Sequence, residues 1–238
     1  MALDPAWRVP ALVQYIANLA TDVICLQETE ADIFSALRTR LGPLGYTLAY
    51  ARKGAGRPDG CATFYRQTPF EFVGSCVVQY GNGDTRVAAS GDIALVVMLH
   101  TDGRRIGLIN THLAWDPPET PIGEHRGYRQ VEKLANEWER IKDCCDGWLI
   151  CGDLNATPSS EVVAVLTRAG FRYAHRNLPE TYTCNVGGYA KMIDYLFHSS
   201  TLRAEPNPVC RIFDETPLPS AEQPSDHLPV VSKFYWDI

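Results

Sequence analysis

Trp148-Leu149-Ile150-Cys151-Gly152-Asp153-Leu154-Asn155 is the stretch on which the fold turns. Four consecutive apolar residues bounded by glycine are the mark of a strand buried on both faces. A carboxylate and an amide follow at once. The same arrangement recurs along the chain. Glu28 follows Val23-Ile24-Cys25-Leu26, and Asn110 and His112 close Ile106-Gly107-Leu108-Ile109. Asp194 lies within Met192-Ile193-Asp194-Tyr195-Leu196-Phe197, and Asp226-His227 open Leu228-Pro229-Val230-Val231. Polar groups at strand ends can meet on one rim of a sheet while the apolar runs stay in the core. A carboxylate inside an apolar run is costly unless it is paired or holds a metal.

Outward from this strand, apolar spacing predicts helices over residues 10–20, 31–41, 126–142 and 161–170. Strands are predicted over 22–27, 46–50, 60–65, 70–78, 93–100, 105–111, 148–151, 192–198 and 228–234. Strands come in runs, with few helices between most of them. That order argues against a simple doubly wound βαβ sheet and for two packed sheets flanked by helices. The expected architecture is an α/β (α+β) four-layer sandwich: two mixed sheets face to face, with helices on both outer sides.

The 238 residues, 45% of them hydrophobic, support one sizeable core, and a single domain over 1–238 is expected. The net charge of −6 is not the footprint of a protein that packages nucleic acid. It favours a short strand or a small phosphorylated substrate over long duplex binding. No apolar run reaches the ~18 residues that span a bilayer. No basic stretch followed by an apolar one opens the chain, so a cytoplasmic protein without membrane contact or obligate protein partner is expected. Cys25, Cys61 and Cys151 sit in apolar runs and read as reduced core thiols. Cys144, Cys145 and Cys151 lack the spacing of a zinc site.

Each polar residue also has a structural reading of its own. Glu28 can cap the helix at Ala31, and Asp153 and Asn155 can form a turn after Gly152. Asp226 can be an N-cap, and His112 a satisfied core histidine. Five such sites at five strand ends make one shared cleft the better account. Carboxylates, an amide and histidines suit a hard cation that keeps some of its waters, which describes Mg²⁺. No P-loop or nucleophile elbow points to other chemistry.

Five motifs occur in the order of the endonuclease/exonuclease/phosphatase superfamily, which the chain resembles over nearly its whole length. They are Leu26-Gln27-Glu28, Asn110-Thr111-His112-Leu113, Gly152-Asp153-Leu154-Asn155, Ile193-Asp194-Tyr195 and Ser225-Asp226-His227-Leu228-Pro229. This is the fold of pancreatic deoxyribonuclease and the apurinic/apyrimidinic endonucleases. Arg57-Pro58-Asp59-Gly60-Cys61-Ala62, Asn110 through Pro117 and Pro224-Ser225-Asp226-His227 resemble the deadenylase, nocturnin and angel branch, which includes 2′,5′-phosphodiesterases.

The resemblance implies a Mg²⁺-dependent phosphoesterase, with Mn²⁺ able to substitute. Glu28 is then a metal ligand, and Asp226 supports the metal. Asp153 orients or deprotonates the attacking water, and Asn155 holds that water and a phosphate oxygen. His112 and His227 contact the scissile phosphate, and Asp194 orients His227. Asn110 is placed among the substrate-binding residues. One departure stands out. The family begins with a strand carrying an Asn, and here Trp7-Arg8 are reached without it.

Beyond the motifs, Arg57 either meets a substrate phosphate or lies in a solvated loop. Trp115 either stacks a base or belongs to the core. Arg126, Arg129 and Gln130 open a helix whose exposed face accounts for the arginines. The expected substrate is RNA, an oligonucleotide or a nucleotide. The rivals are a phosphatase on a small phosphorylated metabolite, a DNA-repair endonuclease that the acidic charge disfavours, and a catalytically weakened binding protein on the same fold.

Overall fold

The apolar runs become strands because both of their faces find a core. A computed structural model describes residues 4–81 and 90–237. The chain opens with α1 (Pro5–Leu19), β1 (Val23–Leu26) and α2 (Ala31–Leu41), then β2 (Tyr46–Arg52), β3 (Gly60–Arg66), β4 (Glu71–Gln79), β5 (Ile93–Thr101) and β6 (Arg104–His112). There follow α3 (Arg126–Ile141), β7 (Gly147–Asp153) and α4 (Glu161–Arg168). Six strands complete it: β8 (Arg172–Tyr173), β9 (Cys184–Val186), β10 (Tyr189–Lys191), β11 (Asp194–His198), β12 (Leu202–Pro206) and β13 (Ser232–Trp236).

Strands β4-β5-β6-β7-β11-β8 form a six-stranded sheet in that order, and β1-β3-β2 form a smaller one. The larger sheet is mixed, since β6 and β7 run parallel while its other pairs are antiparallel. The smaller is antiparallel throughout. Alternation assigns each face. Leu95, Val97 and Leu99 of β5 and Leu149 and Cys151 of β7 pack toward Cys61 and Tyr65 of β3 and toward Leu202, Phe234 and Trp236 of the β12–β13 ribbon. Ala94, Val96, Trp148 and Ile150 point the other way, onto Val131 and Leu134 of α3 and Val162 and Leu166 of α4. On the far side of the smaller sheet, Val13 and Ile16 of α1 and Leu37 and Leu41 of α2 cover Ile24, Ala62 and Phe64. The result is the four-layer sandwich expected.

Three elements start two or more residues away from the sequence reading, and strands β8, β9, β10 and β12 were not expected from it. The first helix begins at Pro5 because the Asp4 carboxylate accepts a hydrogen bond from Ala6 N (3.0 Å) and proline suits the first helical position. Pro10 lies within that helix. Strand β11 begins at Asp194, since Ile193 O is taken by Leu154 N (2.9 Å). The last strand begins at Ser232, which pairs with Pro206; Pro229, four residues after Ser225, has no N–H for a ladder. No helix among the described residues is long and apolar enough to cross a membrane. All eight cysteines are free thiols.

Candidate active site

Sheet register builds the site. Parallel pairing of β6 with β7 sets His112 opposite Asp153, and antiparallel pairing of β7 with β11 sets Asp194 opposite Asp153. Three candidate side chains from remote sequence positions thus lie on one line across adjacent strands. That line depends on Gly152. It sits at φ +149°, and a Cβ there would fall 1.8 Å from Thr111 O, so only glycine lets β6 and β7 close at their ends. An isolated bridge between Cys184 and His227 brings in the last residue.

A chain of contacts results. Asp194 accepts a hydrogen bond from His227 Nδ1 (2.9 Å to Oδ2, 3.1 Å to Oδ1). His227 Nε2 lies 4.0 Å from Asp153 Oδ2, and His112 Nε2 lies 3.7 Å from the same oxygen. Asp153 Oδ1 accepts from Asn155 N (2.7 Å). The Asn155 amide nitrogen donates to Leu113 O (2.9 Å) and stands 3.1 Å from His112 Nε2. Glu28 Oε1 is 3.8 Å from His112 Nδ1, with its side chain 68% exposed. Glu28 and Asn155 both adopt left-handed backbone, φ +51° and +50°. Non-glycine residues do so at a cost and gather at functional sites.

The environment drives the charges apart. Burial lifts the Asp153 carboxyl to about 7, and the charge of Asp194 adds to the rise. Burial alone would depress His227. The hydrogen bond and charge of Asp194, then Asp153 and Asp226, outweigh it and lift the imidazole to about 9. His112 falls to about 4, through burial first and the Lys53 charge second. Two histidines within 4.0 Å of one carboxylate oxygen therefore differ at neutral pH: His227 is charged and His112 is neutral.

Asp153, Asp194 and His227 each offer a ligand atom, all within 4.8 Å of one another. Glu28 and Asp226 stand outside that group. The Asp226 carboxylate is paired with Arg8 of α1 (3.1 Å), and Arg8 Nε also donates to Pro224 O (2.9 Å).

Asn110, expected at the substrate, is fully buried. Its amide nitrogen donates to Leu26 O (3.1 Å) and Ala62 O (2.9 Å), and its oxygen accepts from Gln27 (2.7 Å). Every amide atom is spent joining the two sheets. Arg57 is half exposed and its Nε lies 3.3 Å from Asp59 Oδ1. Trp115 is 57% exposed, which removes it from the core. Arg126 is held by Asp116 (2.8 Å), and Gln130 is fully buried. The sequence reading missed Lys53, Asp92, Gln27 and Arg8. Asp59 was visible only as a member of the Arg57–Ala62 motif and Lys53 only as the residue before Gly54-Ala55-Gly56, and no pattern in the sequence marks a lysine as buried.

The profile of the Endonuclease/Exonuclease/phosphatase family matches residues 5–227. The chain belongs to that family. Protein angel homolog 2 of Mus musculus is 27% identical over 174 residues, covering 71% of this chain and 32% of that protein. The CCR4-Not complex 3′-5′-exoribonuclease subunit Ccr4 of Debaryomyces hansenii is 24% identical over 300 residues, 98% of this chain and 36% of that protein. The chain spans about a third of the length of these curated relatives. Among solved structures, ANGEL2, a 2′,3′-cyclic phosphatase in complex with adenosine-2′,3′-vanadate, superposes with a TM-score of 0.82 at 21% identity, covering 98% of this chain and 87% of that one. The human nocturnin catalytic domain with bound sulfate gives 0.75 at 23% identity, covering 99% and 88%. At these identities the likeness establishes the fold.

Proposed function

We propose that the chain is a divalent-metal-dependent phosphoesterase acting on a phosphodiester in RNA, an oligonucleotide or a nucleotide. The observation that carries this reading is the Asp194–His227–Asp153 chain, with Asn155 and His112 beside it. Phosphoryl transfer needs positioning and charge stabilisation more than a covalent intermediate, and this set supplies both. The curated relative Ccr4 is a 3′-5′-exoribonuclease subunit, and the solved neighbour ANGEL2 is a 2′,3′-cyclic phosphatase. Both descriptions agree with such chemistry.

The roles follow from the groups. Asp153 accepts the proton of the attacking water, and its raised pKa suits a base working near neutrality. Asn155 fixes that water and a phosphate oxygen. The His227 imidazolium turns Nε2–H toward the phosphate and offsets its growing negative charge. Asp194 holds the ring by Nδ1. His112 offers a neutral donor on the opposite side.

The donor set suits a hard cation, Mg²⁺ or Mn²⁺, because its free oxygens are carboxylates with imidazole nearby. Glu28, exposed at the cleft, would hold it with support from Asp226. Since His227 is already bonded to Asp194, the Asp153–Asp194–His227 trio reads as an acid–base unit rather than as the ligand shell. Such an ion supplies positive charge where the phosphoryl oxygens gather negative charge.

The test is turnover with Mg²⁺ of poly(A), mixed-sequence RNA, RNA ending in a 2′,3′-cyclic phosphate, 2′,5′-linked oligoadenylate, abasic DNA and NADP(H). Hydrolysis of at least one is expected, and no turnover of any would overturn the reading. A phosphatase on a small phosphorylated metabolite is the second reading. The net charge of −6 favours it, since such a protein exerts little long-range pull on a polyanion.

A further inference from the structure

Behind His112, away from Asp153, lies a second charged cluster. Lys53 Nζ stands 3.1 Å from Asp59 Oδ2, 3.3 Å from Asp92 Oδ1 and 3.3 Å from His112 Nδ1. The lysine side chain is 1% exposed and both aspartates are 7% exposed. Asp92 Oδ2 accepts from Gln130 Nε2 (3.0 Å), and Gln130 Oε1 accepts from Ala114 N (2.7 Å). The network therefore grips His112 by its ring and the chain two residues further on by its backbone. It ties together the end of β2, the start of β5 and helix α3. A buried ammonium with two carboxylates carries a heavy desolvation penalty and is weak evidence for a stabilising role. With almost no exposure, Lys53 also cannot reach a substrate phosphate from where it sits.

Hydrogen-bond inventory settles what such a lysine does to a ring. An ammonium has three donors and no acceptor. Its approach to 3.3 Å, closer than Glu28 Oε1 at 3.8 Å, favours a lone pair on Nδ1 and so the ring's one proton on Nε2. The Asn155 amide nitrogen stands 3.1 Å from Nε2 and has a second N–H besides the one it gives to Leu113 O, so an amide and an ammonium compete for the ring's lone pair; the charged donor is the stronger, and Asp153 Oδ2, 3.7 Å away, lies on the Nε2 side to attract its proton.

We propose that Lys53, fixed by Asp59 and Asp92, is a positioning residue that locks His112 in the Nε2–H tautomer and aims this donor into the cleft. Without it the ring would divide its population between two tautomers and two flips, and one of these turns a bare lone pair toward an anionic phosphate. This inference rests on the phosphoesterase reading for its consequence, but not for its geometry.

The experiment begins with the wild-type protein labelled with ¹⁵N-histidine, with the His112 signals assigned through His112→Gln. Long-range ¹H–¹⁵N correlations should show His112 Nε2 as the protonated nitrogen and Nδ1 as the bare one. The opposite tautomer would overturn the proposal without any variant having to fold. Lys53→Met should then abolish the fixed tautomer and lower kcat by roughly 10–100-fold, as loss of an orienting partner does, with KM little changed. A second variant, Lys53→Met/Asp92→Asn, removes the unpaired charge that the single change leaves at Asp92, while Arg57 still faces Asp59; it should behave alike. An unchanged tautomer and kcat in a folded variant would overturn the proposal, as would a rise in KM alone, which marks a substrate contact. If no substrate were turned over and the tautomer still depended on Lys53, the phosphoesterase reading would fall and the lock would stand.

Discussion

His112 divides two charged clusters made from nearly the same residue types, and they behave in opposite ways. On the cleft side, Asp153, Asp194 and His227 form a set with two carboxylates for one imidazolium. Asp153 is left without a full partner, and its carboxyl rises to about 7. On the inner side, Lys53 stands between Asp59 and Asp92, with Arg57 reaching Asp59 from outside. There burial pushes the Asp59 carboxyl up, but the adjacent Lys53 ammonium and then Arg57 together pull it below its usual range. The difference teaches that burial raises a carboxyl only where compensation is withheld; with cations beside it, a carboxyl just as buried is pulled down.

Metal removal should break this comparison most completely. Dialysis against EDTA is expected to reduce turnover to background, with recovery on adding Mg²⁺ or Mn²⁺. Full activity in a metal-free preparation would mean that the cleft works by its own charges alone.

Asp153→Asn comes next. Loss of a general base should cut kcat by roughly 10²–10⁴-fold. Stability should move the other way. The folded pKa of Asp153, about 7, lies above its unfolded value, so its contribution favours folding in acid and is lost as pH rises through about 7. In metal-free buffer at pH 8 the ionised carboxylate should cost up to about 4 kcal/mol. Asparagine removes that charge and keeps an acceptor for Asn155 N. Melting temperature should rise by roughly 5 °C or more. A lower Tm together with unchanged kcat would make Asp153 a structural turn residue.

The pH profile sharpens the contrast at a smaller scale. On the proposed mechanism Asp153 acts as the carboxylate and His227 as the imidazolium. Activity should therefore rise with pH well above the ordinary carboxylate range and fall again on the alkaline side, near 9. In Asp194→Asn the alkaline limb should move down toward the ordinary imidazole range, because Asp194 is what holds His227 up. A limb that stays in place would show that another group sets it.

Arg8→Ala should have the least effect. Arg8 and Asp226 are both substantially exposed, and such pairs contribute about 0–1 kcal/mol. A small Tm change with only a modest loss of kcat is expected; a collapse of turnover would promote this contact to a determinant of the His227 loop.

The sequence by itself determined the class of the fold and most of the cleft. Runs such as Ile93 to Leu99 and Trp148 to Cys151 cannot be amphipathic helices or half-exposed strands, so they require cover on both faces, and two sheets between helices provide it. Asp153, Asn155, His112, Asp194 and His227 were legible because such groups recur at the ends of one apolar run after another and in the motif order of the family, although singly they can be read as turn or core residues. What only the tertiary structure decided was which polar groups are offered to a ligand and which are consumed. Asn110 ends a strand as convincingly as His112, yet register carries its amide to the seam between the sheets, where Leu26 O, Ala62 O and Gln27 use all of it. Asp226 reads as a wholly free carboxylate, yet Arg8, more than two hundred residues away, is folded against its Oδ1. Lys53 reads as a loop lysine until Asp59 and Asp92 close over it. In each case a residue's type fixes what it can bind, but its availability depends on partners brought from distant parts of the chain, and local sequence holds no record of them.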